Sequence, residues 1–232
     1  MDDFSSSGVT GPPDDAVCQL VYSYLVHHCY KETAKALEAS AGLSKISNNT
    51  ESAEDQEAEG TTGNELGDIE LRAPIYKHVL DGNVEQAIDL TNRMAEGLLS
   101  SRPDVYFELL SLQFAKLIRE KNVLGAIKFA QEEFSSCDSM SSSDKETYLE
   151  KLQDLMSLIA YEEPAASPAG EFLTEEYRQR VADTLNGALL AFNKRPSQAS
   201  LERVLQHTTL TTDRLAGSGI CPRFNLRDFL NS

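Results

Sequence analysis

Between Val17 and Leu43 the apolar positions repeat at helical spacing in two short runs. Val17, Leu20, Val21, Tyr24 and Leu25 share the first, and Tyr30, Ala34 and Leu37 the second. Helices this short cannot enclose a core, so their stripes need another surface, elsewhere in the chain or on a second copy. From Ile69 onward further helical patterns follow with short breaks. Leu71, Ile75 and Val79 form a stripe ending at Asp81-Gly82, where Gly82 suits the left-handed residue after a helix. Asn83 is placed to cap a helix with Val84, Ala87, Ile88, Thr91, Met94 and Leu98 on one face. Pro103 opens a helix carrying Tyr106, Leu109, Leu110, Phe114, Leu117 and Ile118. A shorter one bears Ala126, Ile127, Ala130 and Phe134. Ser143 to Glu146 is a capping-box sequence ahead of Tyr148, Leu149, Leu152, Leu155, Met156 and Ile159. Glu162 to Phe172, with Pro164, Pro168 and Gly170, reads as a long loop. Thr174 then caps a helix with Tyr177, Val181, Leu185, Ala188 and Phe192, and the last helix shows Leu201, Val204, Leu205 and Leu215. No segment alternates with period two, so the pattern predicts an all-α fold.

Composition narrows the function classes. Of 232 residues, 37 are acidic and 21 basic, a net charge of −16 that disfavours both nucleic acid and anionic membrane surfaces. No apolar run reaches the roughly 18 residues of a membrane span. The four cysteines (Cys18, Cys29, Cys137 and Cys221) are scattered, with no CxxC and no histidine at ligand spacing, so neither a metal site nor a disulfide framework is expected. The N-terminus lacks the basic and apolar regions of a secretory signal, which points to a reduced, intracellular protein. Residues 1–15 and 44–68 are too polar to pack; the second stretch carries seven carboxylates and one lysine and reads as an acidic, flexible linker.

Against this background the chain resembles a known family. YSYLVHHCYKETAKALEAS is similar to a LisH motif, placed at 16–43. Residues 69–126 resemble the CTLH motif through Arg72, Ile75, Gly82, Ala87, Ile88, Leu98, Leu99, Phe107, Leu110, Gln113, Leu117, Ile118 and Arg119. Residues 127–215 resemble the CRA region through KFAQEEF, LMSLIAYEEP, Ser167-Pro168 and the stretch from Arg180 to Asn186, leaving 216–232 as a tail. The hairpin is particularly similar to the Ran-binding protein M relatives. These usually carry an N-terminal SPRY domain that this sequence does not show, so a shortened relative, a fragment or a small member built from the three regions is expected. Cys29 stands where the family commonly has Gly, a poorer fit if the turn needs a left-handed residue.

The resemblance implies a non-catalytic scaffold subunit of a CTLH (GID-type) E3 ubiquitin ligase assembly, cytoplasmic and nuclear, without cofactor. In that family LisH pairs with itself or with another LisH-CTLH protein, and the end of CRA returns to pack on it. CTLH with the first part of CRA meets a different subunit, and separate subunits bear the RING-like domain. The expected dimer face is Leu20, Val21, Tyr24, Leu25, Tyr30, Ala34 and Leu37, against the alternative that these pack only within the monomer. Leu201, Val204 and Leu205 are the candidates for the returning helix. His27 and His28 are expected at the exposed edge of the first helix. The other function classes are a peptide-binding adaptor like the LisH-CTLH corepressors, and a helical enzyme. No GxSxG, HExxH or phosphate-binding loop occurs, which disfavours the enzyme.

Overall fold

The computed structural model describes residues 14–41, 65–134 and 142–219. The expectations for most of the N-terminal stretch, most of the acidic linker, the Ser-rich break before Ser142 and most of the C-terminal tail lie outside these residues, while Asp14 and Asp15, expected with the polar N-terminus, are helical. Among the described residues all regular structure is helical: α1 (Asp14–His27), α2 (Lys31–Ala41), α3 (Glu65–Leu80), α4 (Val84–Met94), α5 (Leu98–Ser101), α6 (Pro103–Arg119), α7 (Val123–Glu133), α8 (Ser142–Ser157), α9 (Glu175–Phe192) and α10 (Ser200–Gly217). The chain divides into two compact units, one of Met1–Leu66 with Gln198–Ser232 and the other of Gly67–Ser197. In the first, α1 packs against both α2 and α10.

The larger unit is organised on α6, which packs against α4, α5, α7 and α9. Its buried residues (Val105, Phe107, Leu109, Leu110, Leu112, Phe114, Ala115 and Ile118 among them) lie on more than one face, as a helix surrounded by others requires. Phe107 stacks edge-on against Tyr148 with ring centroids 4.5 Å apart and lies 5.4 Å from Phe134. The Tyr148 hydroxyl donates to the Phe134 carbonyl at 3.2 Å, fastening α8 to the end of α7. Glu108 ties α6 to α8 and α9, accepting from Lys151 Nζ at 2.7 Å and from the Tyr177 hydroxyl. Burial first, and then the Glu108 charge, push the Tyr177 pKa well above its ordinary value, which keeps the hydroxyl a donor.

Several expectations need correction. The inward stripe of α3 is Ile69, Arg72, Ile75, Tyr76 and Val79, whereas Leu71 is 61% exposed. The helix also begins at Glu65, ahead of the expected Ile69, so Asp68 is helical and buried. Leu98 does not continue α4: the helix ends at Met94, and Leu98 opens α5 behind Gly97, which holds φ +85°. Asn83 holds the N-cap position of α4 but its side chain makes no capping hydrogen bond. Helix α8 starts at Ser142, one residue before the expected cap, and the Ser143 side chain lies outside the described residues. Leu149 and Phe192 are exposed rather than packed. The helix expected through Ile159 ends in a 3-10 turn (Leu158–Ala160), and the expected loop instead holds two more (Pro164–Ala166 and Gly170–Leu173), packed so closely that a Cβ on Gly170 would meet the Ala165 carbonyl oxygen at 2.4 Å. By contrast Pro103 begins α6, and Thr174 Oγ1 accepts from the Tyr177 amide at 3.1 Å, as expected.

Helix ends share one device. After α1 the Tyr30 amide reaches the Leu25 carbonyl at 2.9 Å and the Cys29 amide that of Val26, the paired bonds of a Schellman turn. The same pairs recur around Gly82, Lys121 and Lys194. Of these four turns the left-handed residue is glycine at Gly82 (φ +75°), whereas Cys29, Lys121 and Lys194 hold φ of 60°, 58° and 58°. A side chain in that region costs on the order of 1 kcal/mol, partly offset by the extra freedom glycine gives the unfolded chain. Cys29→Gly, Lys121→Gly and Lys194→Gly are each expected to add about 0.5 kcal/mol, and the triple variant to melt a few degrees higher by calorimetry. An unchanged or lower Tm would contradict the reading of these turns.

Candidate assembly surface

The hairpin and α10 form the surface that the sequence marks for assembly. Inside it Val26 and Ala34 are buried, Ala34 completely, so the hairpin closes around a residue whose methyl group lets the backbones approach. Of the expected dimer face, Ala34 is therefore internal. Leu20, Tyr24, Leu25 and Leu37 are half-buried, while Val21 and Tyr30 are exposed, with Val17 beside them. One face thus serves the hairpin's own packing and keeps an open margin.

Helix α10 closes on α1 through a specific polar contact. His28 Nε2–H donates to Glu202 Oε1 at 2.9 Å, and the other Glu202 oxygen accepts from the Ala199 amide at 3.4 Å, at the start of α10. The imidazole is flanked by Tyr24, His27 and Tyr30, with centroids 4.4, 4.9 and 6.5 Å away. His28 is therefore not the exposed edge that the sequence pointed to; its side chain is only 16% exposed. Nothing in the local sequence marks this pairing, because its partner lies 174 residues downstream.

On α10 the half-buried positions are Leu201, Glu202, Thr212 and Ala216. Val204 and Leu205, expected with Leu201 on the returning face, are 47% and 38% exposed, and Leu210 and Leu215 are exposed as well. Arg203, Val204, His207, Thr208 and Thr211 line an open groove along this helix. The unit consequently packs on itself through one side of α10 and shows an apolar margin on both α1 and α10.

The CTLH positions fall in the larger unit, and most serve its interior. Arg72, Ile75, Ala87, Leu98, Leu99, Phe107, Leu110 and Ile118 are buried, Gly82 makes the left-handed turn, and Ile88, Gln113 and Leu117 are half-buried. Arg119 is exposed. Arg72 is the unusual member. Its Nε donates to Asp68 Oδ2 at 2.7 Å, its Nη1 donates to Asn186 Oδ1, and Arg195 Nη1 stands 3.7 Å from the same Asp68 oxygen. Two arginines, an aspartate and an asparagine thus join α3 to α9 and to the residues just after it.

Among the described residues no group of histidine, cysteine, aspartate and glutamate side chains is placed to hold a metal ion. No described helix is long and apolar enough to cross a membrane.

Residues 68–216 match the family described as CTLH/CRA C-terminal to LisH motif domain. The chain is 31% identical over 202 residues to glucose-induced degradation protein 8 homolog of Nematostella vectensis, covering 87% of this chain and 80% of that protein. The protein of the same name from Dictyostelium discoideum is 27% identical over 205 residues, with 88% and 81% covered. Ran-binding protein M homolog of Arabidopsis thaliana is 24% identical over 202 residues, covering 82% of this chain but 41% of that protein.

Proposed function

This chain belongs to the family of CTLH/CRA domains C-terminal to a LisH motif, and on that premise we propose that it is a non-catalytic scaffold subunit of a CTLH (GID-type) E3 ubiquitin ligase assembly. Relatives named for glucose-induced degradation, matched over about four-fifths of their own length, support the reading. The single observation that carries it is the apolar margin of Val17, Val21, Tyr30, Val204, Leu205 and Leu210, left open on a unit that already closes on itself through His28 and Glu202. Single exposed apolar residues are ordinary, but several of them on two helices that pack together support an interaction surface.

In this reading the hairpin at 16–43 and α10 pair with a second copy or with another LisH-CTLH protein. The CTLH region (69–126) with the first part of CRA (127–215) meets a different subunit, and catalysis belongs to RING-bearing partners. The site of action is the cytoplasm and nucleus. The test is co-purification from cells with the full tagged chain. A RING-bearing LisH-CTLH subunit is expected in the eluate, with Val21→Asp reducing its yield. Recovery of transcription factors without any RING-bearing subunit would contradict the scaffold reading and favour a corepressor-like adaptor.

A further inference from the structure

The larger unit carries a groove that the assembly surface does not use. It runs between the end of α6 with the start of α7 on one side and the packed 3-10 turns on the other, with a volume of about 390 Å³. Ile118, Val123, Ile159, Tyr161 and Leu173 supply an apolar floor and walls, and Val123 and Tyr161 are large apolar side chains left 40% and 45% exposed. The walls are preformed. Ser167 Oγ donates to the Pro164 carbonyl at 2.6 Å, the Gly170 amide donates to the Ser167 carbonyl at 2.9 Å, and the Lys121 turn is locked by the Asn122 amide on the Leu117 carbonyl at 3.0 Å. A preformed apolar cleft with a few fixed polar groups is the usual form of a ligand site.

Its charge is uneven. Arg119 and Lys121 line the end formed by α6, and Glu162 lines the wall of turns. Arg119 remains solvent-accessible, yet partial desolvation and then the neighbouring Arg178 guanidinium hold its pKa below the ordinary value, with Glu120 and Glu175 opposing them. Arg178 itself is engaged, Nη1 donating to the Leu80 carbonyl at 2.8 Å. Arg119 and Lys121 thus put positive charge at one end of an apolar cleft, which suits an anionic neighbour in a chain whose net charge is otherwise −16.

We propose that this groove binds a short linear segment of a partner protein in which one or two apolar side chains are followed by carboxylates, the apolar part on Val123, Ile159 and Tyr161 and the carboxylates at Arg119 and Lys121. Glu162 fixes the direction by repelling the acidic end. This surface is separate in sequence and residues from the hairpin and α10, so it stands or falls independently of the pairing proposed for them.

The test is fluorescence anisotropy with the full chain and a fluorescein-labelled, end-blocked ten-residue peptide carrying two leucines followed by glutamates. Saturable binding in the micromolar range is expected. Lysine in place of the glutamates, or serine in place of the leucines, should weaken it by ~10-fold or more. Arg119→Glu should lose affinity for the acidic peptide and gain it for the lysine peptide, a reversal that unfolding would not give. Tyr161→Asp should abolish binding, with helical circular dichroism retained. No saturation by about 1 mM, or affinity indifferent to peptide charge and to Arg119→Glu, would overturn the proposal. Self-association that is lost in Arg119→Glu would assign the groove to a second copy and would overturn it equally. The mass of the wild-type assembly, which reports on the hairpin and α10, is expected to be unchanged by Arg119→Glu.

Discussion

Arg72→Met is expected to destabilise the larger unit by about 3 kcal/mol although it keeps side-chain volume nearly constant. Arg72 is 1% exposed, and its guanidinium is the close partner of the buried Asp68. Methionine can follow the path of the arginine stem but leaves an anion in a dry site. Arg195, at 3.7 Å, compensates only in part. Asn186, also buried, loses a donor for its side-chain oxygen. Calorimetry should register a fall of about 10 °C, taking 2–4 °C per kcal/mol for a chain of this size. Because the damage comes from the stranded charge, Asp68→Asn in the Arg72→Met background should restore part of the loss, with a coupling of ~1–3 kcal/mol. A cost below about 1 kcal/mol for Arg72→Met, or simple additivity in the double variant, would show that the cluster is not the clamp described.

The second large effect concerns assembly. Val21→Asp with Val204→Asp is expected to weaken self-association by ~100-fold or more, equivalent to about 2.8 kcal/mol, while leaving the helical circular dichroism intact. Both positions are exposed in the single chain, so the substitutions remove nothing from its core. Under two-fold symmetry each would recur on the opposing protomer, doubling its effect. Leu25→Asp is a less clean probe, since Leu25 is half-buried within the hairpin and its loss would mix folding with pairing. Loss of helicity in the double variant, rather than of mass, would mean that the margin is interior after all.

Helical class, the hairpin, the proline start of α6 and the Thr174 cap were all legible because they are encoded within one or two turns of chain. Gly82 was legible for the same reason, since a glycine after an apolar stripe announces a left-handed turn. Lys121 and Lys194 were not, because lysine carries no such signal and the turn there is imposed by the packing of flanking helices. The expected stripe of α3 holds at Ile75 and Val79 and fails at Leu71 for a physical reason. Periodicity counts Leu71 as apolar and Arg72 as polar, yet an arginine whose charge is matched by Asp68 and Asn186 can occupy the buried face. The 3-10 turns were read as loop because proline and glycine punctuate them, and only the close approach of Gly170 to Ala165 reveals them as packed structure. Of the candidate assembly surface, sequence marked most of the apolar residues, though not Leu210, and not their division between inner and outer faces. That division depends on where α10 lands, and the His28–Glu202 contact that fixes it joins residues 174 apart.

The central claim is that the open margin of α1 and α10 is a pairing surface, and light scattering on the purified full chain tests it most directly. Twice the mass of one chain is expected at tens of micromolar, falling toward a single chain on dilution and in the Val21→Asp/Val204→Asp variant. A single-chain mass at every concentration, with the wild-type and the variant indistinguishable, would contradict it.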